Sequence, residues 1–198
     1  ARRYHGLRKL LEAACFPNYD YKAALAACPQ ASGQKRNTGL SRPWHGTKRG
    51  KLVHDQLRLM VNSGGSARAL RAAYGPNATP HKHVDRLIDA LRNKKLEPVM
   101  AEFADFYESC GVASSIDLVC RSRKTGAVSL VEVKVGGENY FQRSNGALQA
   151  PRSLRSYNNS PLHQAFLQVL FYRQMMVDHY PDLKIGSSYI AQVCTDEV

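Results

Sequence analysis

The 198 residues are 43% hydrophobic, enough for one ordinary globular domain with a real core and short for two. Every apolar stretch is broken by Arg, Gln or His well before the ~18 residues that a spanning helix needs, and Ala1–Leu11, with Arg2, Arg3, Arg8 and Lys9, lacks the apolar centre of a signal peptide. Twenty-eight Lys and Arg against 16 Asp and Glu leave a net charge of +12, a field that favours phosphate backbones whatever their sequence. The excess is uneven, since residues 1–58 hold 12 basic residues and only three acids, Glu12, Asp20 and Asp55. Five widely spaced cysteines form no C-x-x-C pair; they read as reduced, mostly buried thiols of an intracellular protein, its compartment undefined.

In chain order, residues 1–46 follow a short amphipathic opening with Pro17, Pro29, Gly33, Gly39 and Pro43, and read as a basic, loop-rich N-terminal arm. A domain over 47–198 follows. Its first helix starts at Thr47, with Leu52, Val53, Leu57, Met60 and Val61 at three-to-four spacing, and ends at Gly64-Gly65. Thr79-Pro80 reads as the cap and first residue of a second helix that buries Val84, Leu87, Ile88 and Leu91. After Pro98 the period shifts towards two, predicting strands over Met100–Tyr107, Ser115–Cys120 and Val128–Val135, the last two joined by a polar turn with Gly126. Asn139–Asn159, rich in Ser, Asn, Gly and Arg, reads as a loop or flap. Ser160-Pro161 opens the strongest helix, which Tyr180-Pro181-Asp182 stops, and Ser188–Cys194 reads as a further strand.

The chemistry lies in Ser115-Ile116-Asp117-Leu118-Val119, a turn, and Leu130-Val131-Glu132-Val133-Lys134-Val135. Strand side chains alternate, so Glu132 and Lys134 share a face about 7 Å apart along the strand. Asp117 stands on the neighbouring strand. Two carboxylates and a lysine so placed suit a divalent ion beside an oriented water. Two other acid-x-Lys triplets, Asp20-Tyr21-Lys22 and Asp182-Leu183-Lys184, lack the apolar strand and the preceding acid. Context singles out the third. His81-Lys82-His83 has no further ligands at usable spacing and reads as a surface pair at a helix start.

These residues resemble the RecB-like branch of the PD-(D/E)XK nuclease superfamily over about Thr47 to His179. Gly50-Lys51-Leu52-Val53-His54 resembles its G-x-x-x-H helix, Asp117 with Glu132-Val133-Lys134 its core motif, and Gln168-Val169-Leu170-Phe171-Tyr172 its Q-x-x-x-Y helix. The resemblance implies catalytic Asp117, Glu132, Lys134 and Glu102, metal ligands His54, Asp117, Glu132 and Val133 for Mg²⁺ or Mn²⁺, and substrate contacts from Gln168 and Tyr172. On a helix, Gly50 leaves room one turn from His54, and Gln168 and Tyr172 share a face about 6 Å apart. Taken singly, Tyr172 is a core aromatic with a polar handle. Basic residues around the sheet edge and the first helix, namely Arg121, Arg123, Lys124, Arg143, Arg152, Arg155, Lys48, Arg49 and Lys51, are the expected backbone contacts.

The expected fold is α/β, a restriction-endonuclease-like mixed central sheet flanked by helices. The expected function is metal-dependent cleavage of DNA, as an exonuclease or end-processing enzyme in replication, repair or recombination, with RNA left open as substrate. The alternatives are a catalytically silent, nuclease-derived nucleic-acid-binding subunit of a larger complex, and a nuclease domain of a larger protein.

Overall fold

The computed structural model describes residues 5–14, 43–136, 141 and 157–194. The apolar spacing that starts at Leu52 becomes a 20-residue helix, α2 (Pro43–Asn62), which begins four residues before the expected Thr47, inside the expected arm, and turns Val53, Leu57 and Val61 inward. Gly64 and Gly65 end it as expected: both take positive φ, and the Gly65 N–H reaches the Met60 carbonyl at 2.7 Å. Before it come β1 (His5–Gly6) and α1 (Leu7–Ala14). After it come α3 (Ala67–Tyr74) and α4 (Lys82–Asn93). The sequence pattern conceals α3, whose composition is mostly Ala and Arg and which buries only Leu70.

Helix α4 begins two residues later than Thr79-Pro80 predicts. His81 is its cap: the ring Nδ1 accepts the His83 N–H at 3.3 Å, and the His81 N–H donates to Gln56 Oε1 at 2.7 Å. A tertiary bond to α2 thus sets the start. His83 is buried, contrary to the surface pair expected.

The sheet is mixed, its strands being β1, β2 (Leu96–Tyr107), β3 (Val112–Ser122), β4 (Val128–Gly136) and β5 (Ile185–Cys194). β3 runs antiparallel to β2 and to β4, and β5 lies parallel to β4. α5 (Pro161–His179), capped by the Ser160 hydroxyl on the His163 N–H, connects the last two strands. One face of the sheet packs Leu118, Cys120, Val131 and Val133 against α2 and α4. The other packs Val119 and Leu130 against Val169, Tyr172 and Met176 of α5. The expected α/β class with a mixed sheet between helices is therefore present.

β1 was hidden in the expected arm. Its two residues pair in parallel with Val112–Ala113, and α1 packs against α5 and β3, while 15–42 lie outside the described residues. So does most of the Asn139–Asn159 loop, with Arg143, Arg152 and Arg155. Of the cysteines, Cys120 is buried, with its thiol pushed up to about 12 by burial, but Cys110 is exposed. No helix among the described residues is long and apolar enough to cross a membrane.

Candidate metal centre

The site forms where the sheet splits. β3 and β4 pair from Arg121↔Val128 to Leu118↔Val131, and there the ladder stops. The next opposing positions in that register are Asp117 and Glu132. Asp117 Oδ2 takes the Val133 N–H at 2.6 Å, so a side chain replaces the missing ladder bond. Beyond this point β4 continues with β5 as far as Gly136↔Cys194, whereas β3 continues with β2 and receives β1 at its far end.

The strand pair β2–β3 also turns over at this level. Ala101 and Leu118 pack with α2 and α4, but Phe103 and Ile116, two residues along, pack with α5. Residues two apart in a regular strand share a face; here they do not. Between them Glu102 takes a φ of 53°, a left-handed conformation that costs a non-glycine residue about 1–2 kcal/mol. Contacts on both sides hold it. The Asn62 side chain, at the end of α2, bonds both the N–H and the carbonyl of Ala101 (2.8 and 3.1 Å), and the Tyr172 hydroxyl donates to the Phe103 carbonyl at 2.7 Å.

α2 also brings His54 over the split. Its Nδ1 lies 3.3 Å from Glu102 Oε1 and 3.4 Å from Asp117 Oδ1. Ligand atoms of His54, Glu102 and Asp117 lie within 4.8 Å of one another, the only such trio of His, Cys, Asp or Glu among the described residues. Burial alone would lower the imidazole pKa; hydrogen bonds and charge from Asp117 and Glu102 outweigh it and raise the group to about 10. The protonated imidazole so placed offsets part of the charge of the two carboxylates.

Glu132 lies beside this trio, almost fully buried, with Oε1 held by Lys134 Nζ at 2.6 Å and Oε2 unpartnered among the described residues. Burial first, then the Asp117 charge, raises its pKa to about 7 against the opposing pull of Lys134 and His54. An orphaned, buried carboxylate oxygen is costly without a cation or a proton. The donor set, one nitrogen and several carboxylate oxygens, fits Mn²⁺ or Mg²⁺.

Of the expected site residues, His54, Glu102, Asp117, Glu132 and Lys134 meet here. Val133 enters through its N–H, as a donor to Asp117. Gln168 is half-buried on α5. Tyr172 is fully buried and its hydroxyl is spent on Phe103, so it positions β2 and has no surface to offer a substrate. The single reading of Tyr172, a core aromatic with a polar handle, is the one that matches. Gly50 lies against β4, where an added Cβ would meet Val135 at an ordinary 3.8 Å, so packing does not demand glycine. Lys51 is exposed and paired with Asp55 at 2.8 Å, Lys48 is exposed and Arg49 half-buried. Arg121 and Arg123 share Glu97 at the far end of the sheet, beside Lys124. Asn62 was missed; its only signal was a polar residue closing an apolar helix just before two glycines.

No family profile, curated protein or solved structure matches the chain.

Proposed function

We propose that this chain is a metal-dependent nuclease of the PD-(D/E)XK type, RecB-like in its motifs, that hydrolyses phosphodiester bonds of DNA and works from strand ends. The observation that carries the reading is the convergence of His54, Glu102 and Asp117 at the split of β3 and β4, beside a buried Glu132 with an unpartnered oxygen. Its motifs are those that resemble the nuclease branch, and the net charge of +12 suits a polyanionic substrate.

In this reading His54, Asp117, Glu102 and Glu132 hold Mg²⁺ or Mn²⁺. The bound ion would neutralise charge on the scissile phosphate and acidify an attacking water. The protein's own part is positional. Val133 fixes the Asp117 carboxylate through its N–H. Lys134, tied to Glu132, sits where an ammonium can orient the nucleophile and stabilise charge developing on phosphate oxygens. The clamps on Ala101 and Phe103 keep Glu102 turned towards His54.

The test pairs two substrates with two metals. Linear DNA should be degraded and a covalently closed circle of the same sequence should survive, and His54→Ala should lower activity and narrow any advantage of Mn²⁺ over Mg²⁺, since it removes the nitrogen ligand. Rapid cutting of the circle would reject end-dependence. Absence of cleavage of either DNA in both metals would reject the nuclease.

A further inference from the structure

We infer that the end of the sheet opposite the split is a second, separate anchor for a nucleic-acid backbone; the inference rests on the nuclease reading only for the identity of the strand it would hold. Three connecting segments meet there. The Arg123 N–H bonds the Lys95 carbonyl at 2.8 Å, joining the β3–β4 turn to the α4–β2 connection, and the Val128 N–H bonds the Lys184 carbonyl at 2.8 Å, adding the approach to β5. This junction exposes Lys94, Lys95, Arg121, Arg123, Lys124 and Lys184. Nearby acid is scarce. Glu97 is shared between Arg121 and Arg123 at 3.4 and 3.7 Å, and Asp182 is two residues from Lys184. Lys94 lies over the Tyr189 ring at 5.7 Å, while Lys95, Lys124 and Lys184 carry no acidic partner among the described residues.

Lys95 follows the cap of α4, its N–H on the Arg92 carbonyl at 2.9 Å, at the position where helices commonly end left-handed. Its φ is 61°, where glycine or asparagine is the residue that fits without strain. A long, exposed cation kept at this position, with no acidic partner among the described residues, fits a role outside the protein. Arrangement argues for a linear polyanion: the cations come from successive elements along one sheet end, and no charge of this density is needed for the packing beneath.

Distance separates this anchor from the metal centre. Asp117 and Arg121 are four residues apart on one strand, about 13 Å, and the turn lies farther on. At about 3.4 Å of axial rise per nucleotide on a strand, the anchor reaches phosphates about four or more nucleotides from the scissile bond. Substrates shorter than that reach the metal centre without touching the anchor.

The full chain is compared with Lys95→Asn/Arg123→Ser/Lys124→Ser, and with Lys95→Asn alone, by fluorescence anisotropy in EDTA, so that no result depends on cleavage. Duplexes of about 30 base pairs, in DNA and RNA forms, should bind the triple variant at least about a hundredfold more weakly at ~0.1 M salt, with a salt slope on the DNA smaller by about 2.7. Three-nucleotide oligomers should bind both proteins alike. Lys95→Asn should weaken long duplexes with a Tm unchanged or raised. Unaltered affinity and slope for the triple variant on both duplexes would overturn the anchor, as would equal losses on the short oligomers. A chain that binds as described yet cleaves nothing with either Mn²⁺ or Mg²⁺ would reject the nuclease and keep the anchor.

Discussion

The two halves of β3 follow different rules. From Leu118 to Arg121 the strand has neighbours on both edges, Leu118, Val119 and Cys120 alternate between the two cores, and its partner β4 buries Leu130 and Val131 on opposite faces. From Val112 to Asp117 it loses β4, turns over against β2, and gathers carboxylates beside an imidazole. The first half is optimised for packing. Beside the second, its neighbours β2 and β4 carry unfavourable features, a left-handed Glu102 and a buried unpartnered oxygen on Glu132, which packing alone does not explain. The lesson is local: stability and chemistry divide a single strand within two residues.

The largest effects should separate the halves. Asp117→Asn keeps the acceptor for the Val133 N–H but removes a charge from the centre, so cleavage should fall by about a thousandfold, with a smaller loss of stability through His54, whose proton Asp117 helps to hold. Leu130→Ala, in the packed half, removes a fully buried side chain from the α5 core and should cost about 2–5 kcal/mol of stability, with cleavage per folded molecule retained. Denaturant titration and single-turnover cleavage on both variants check the pair. A large stability loss in Asp117→Asn with turnover retained would erase the contrast.

A smaller, pH-dependent effect belongs to His54. Its pKa is raised from 6.5 to about 10 in the folded protein, so the stability linked to its proton is fully present below pH 6.5 and is lost as pH rises through about 10. The metal-free protein should therefore show a Tm that declines over that window, and Asp117→Asn should flatten the decline. Affinity for Mn²⁺ should change in the opposite sense, rising with pH as His54 gives up its proton. Calorimetric titration in two buffers of different ionisation enthalpy would register the released proton.

The packed half was legible because its rules are periodic. Val53, Leu57 and Val61 announce α2, Ser160-Pro161 announces α5, and the valines of β4 announce a strand buried on both faces. The motif residues Asp117, Glu132 and Lys134 were legible through their setting. What stayed hidden depends on long-range contact: β1 is two residues long and exists through its pairing with β3, α3 buries one leucine, and the start of α4 is set by Gln56 from another helix. The Asn62 clasp on Ala101 joins positions 39 apart in the chain, and no local pattern encodes it. Tyr172 was read correctly from its own chemistry and drawn towards the substrate by the resemblance, which carries no information on where a hydroxyl is spent.

The smallest effect is the most discriminating, because its sign is opposite to intuition. Glu102 is partly exposed between Ala101 and Phe103, and a glycine within a strand normally destabilises. At a φ of 53°, however, glycine carries no steric penalty. Glu102→Gly should relieve about 1–2 kcal/mol of left-handed strain and lose about 0.5–1 kcal/mol to added freedom of the unfolded chain. Loss of its partly exposed contact with His54 takes back part of the gain. The net is a stability unchanged or higher by up to about 1 kcal/mol, while a metal ligand disappears and cleavage drops. Ala101→Gly is the control: one residue earlier, without positive φ and packed in the core, it should destabilise. If both glycines destabilise alike, the strain at Glu102 is not held against the fold, and the division of β2 and β3 into a packed half and a chemical half loses its energetic basis. If only Ala101→Gly does, the clamps from Asn62 and Tyr172 hold Glu102 where the centre needs it, at the expense of the strand.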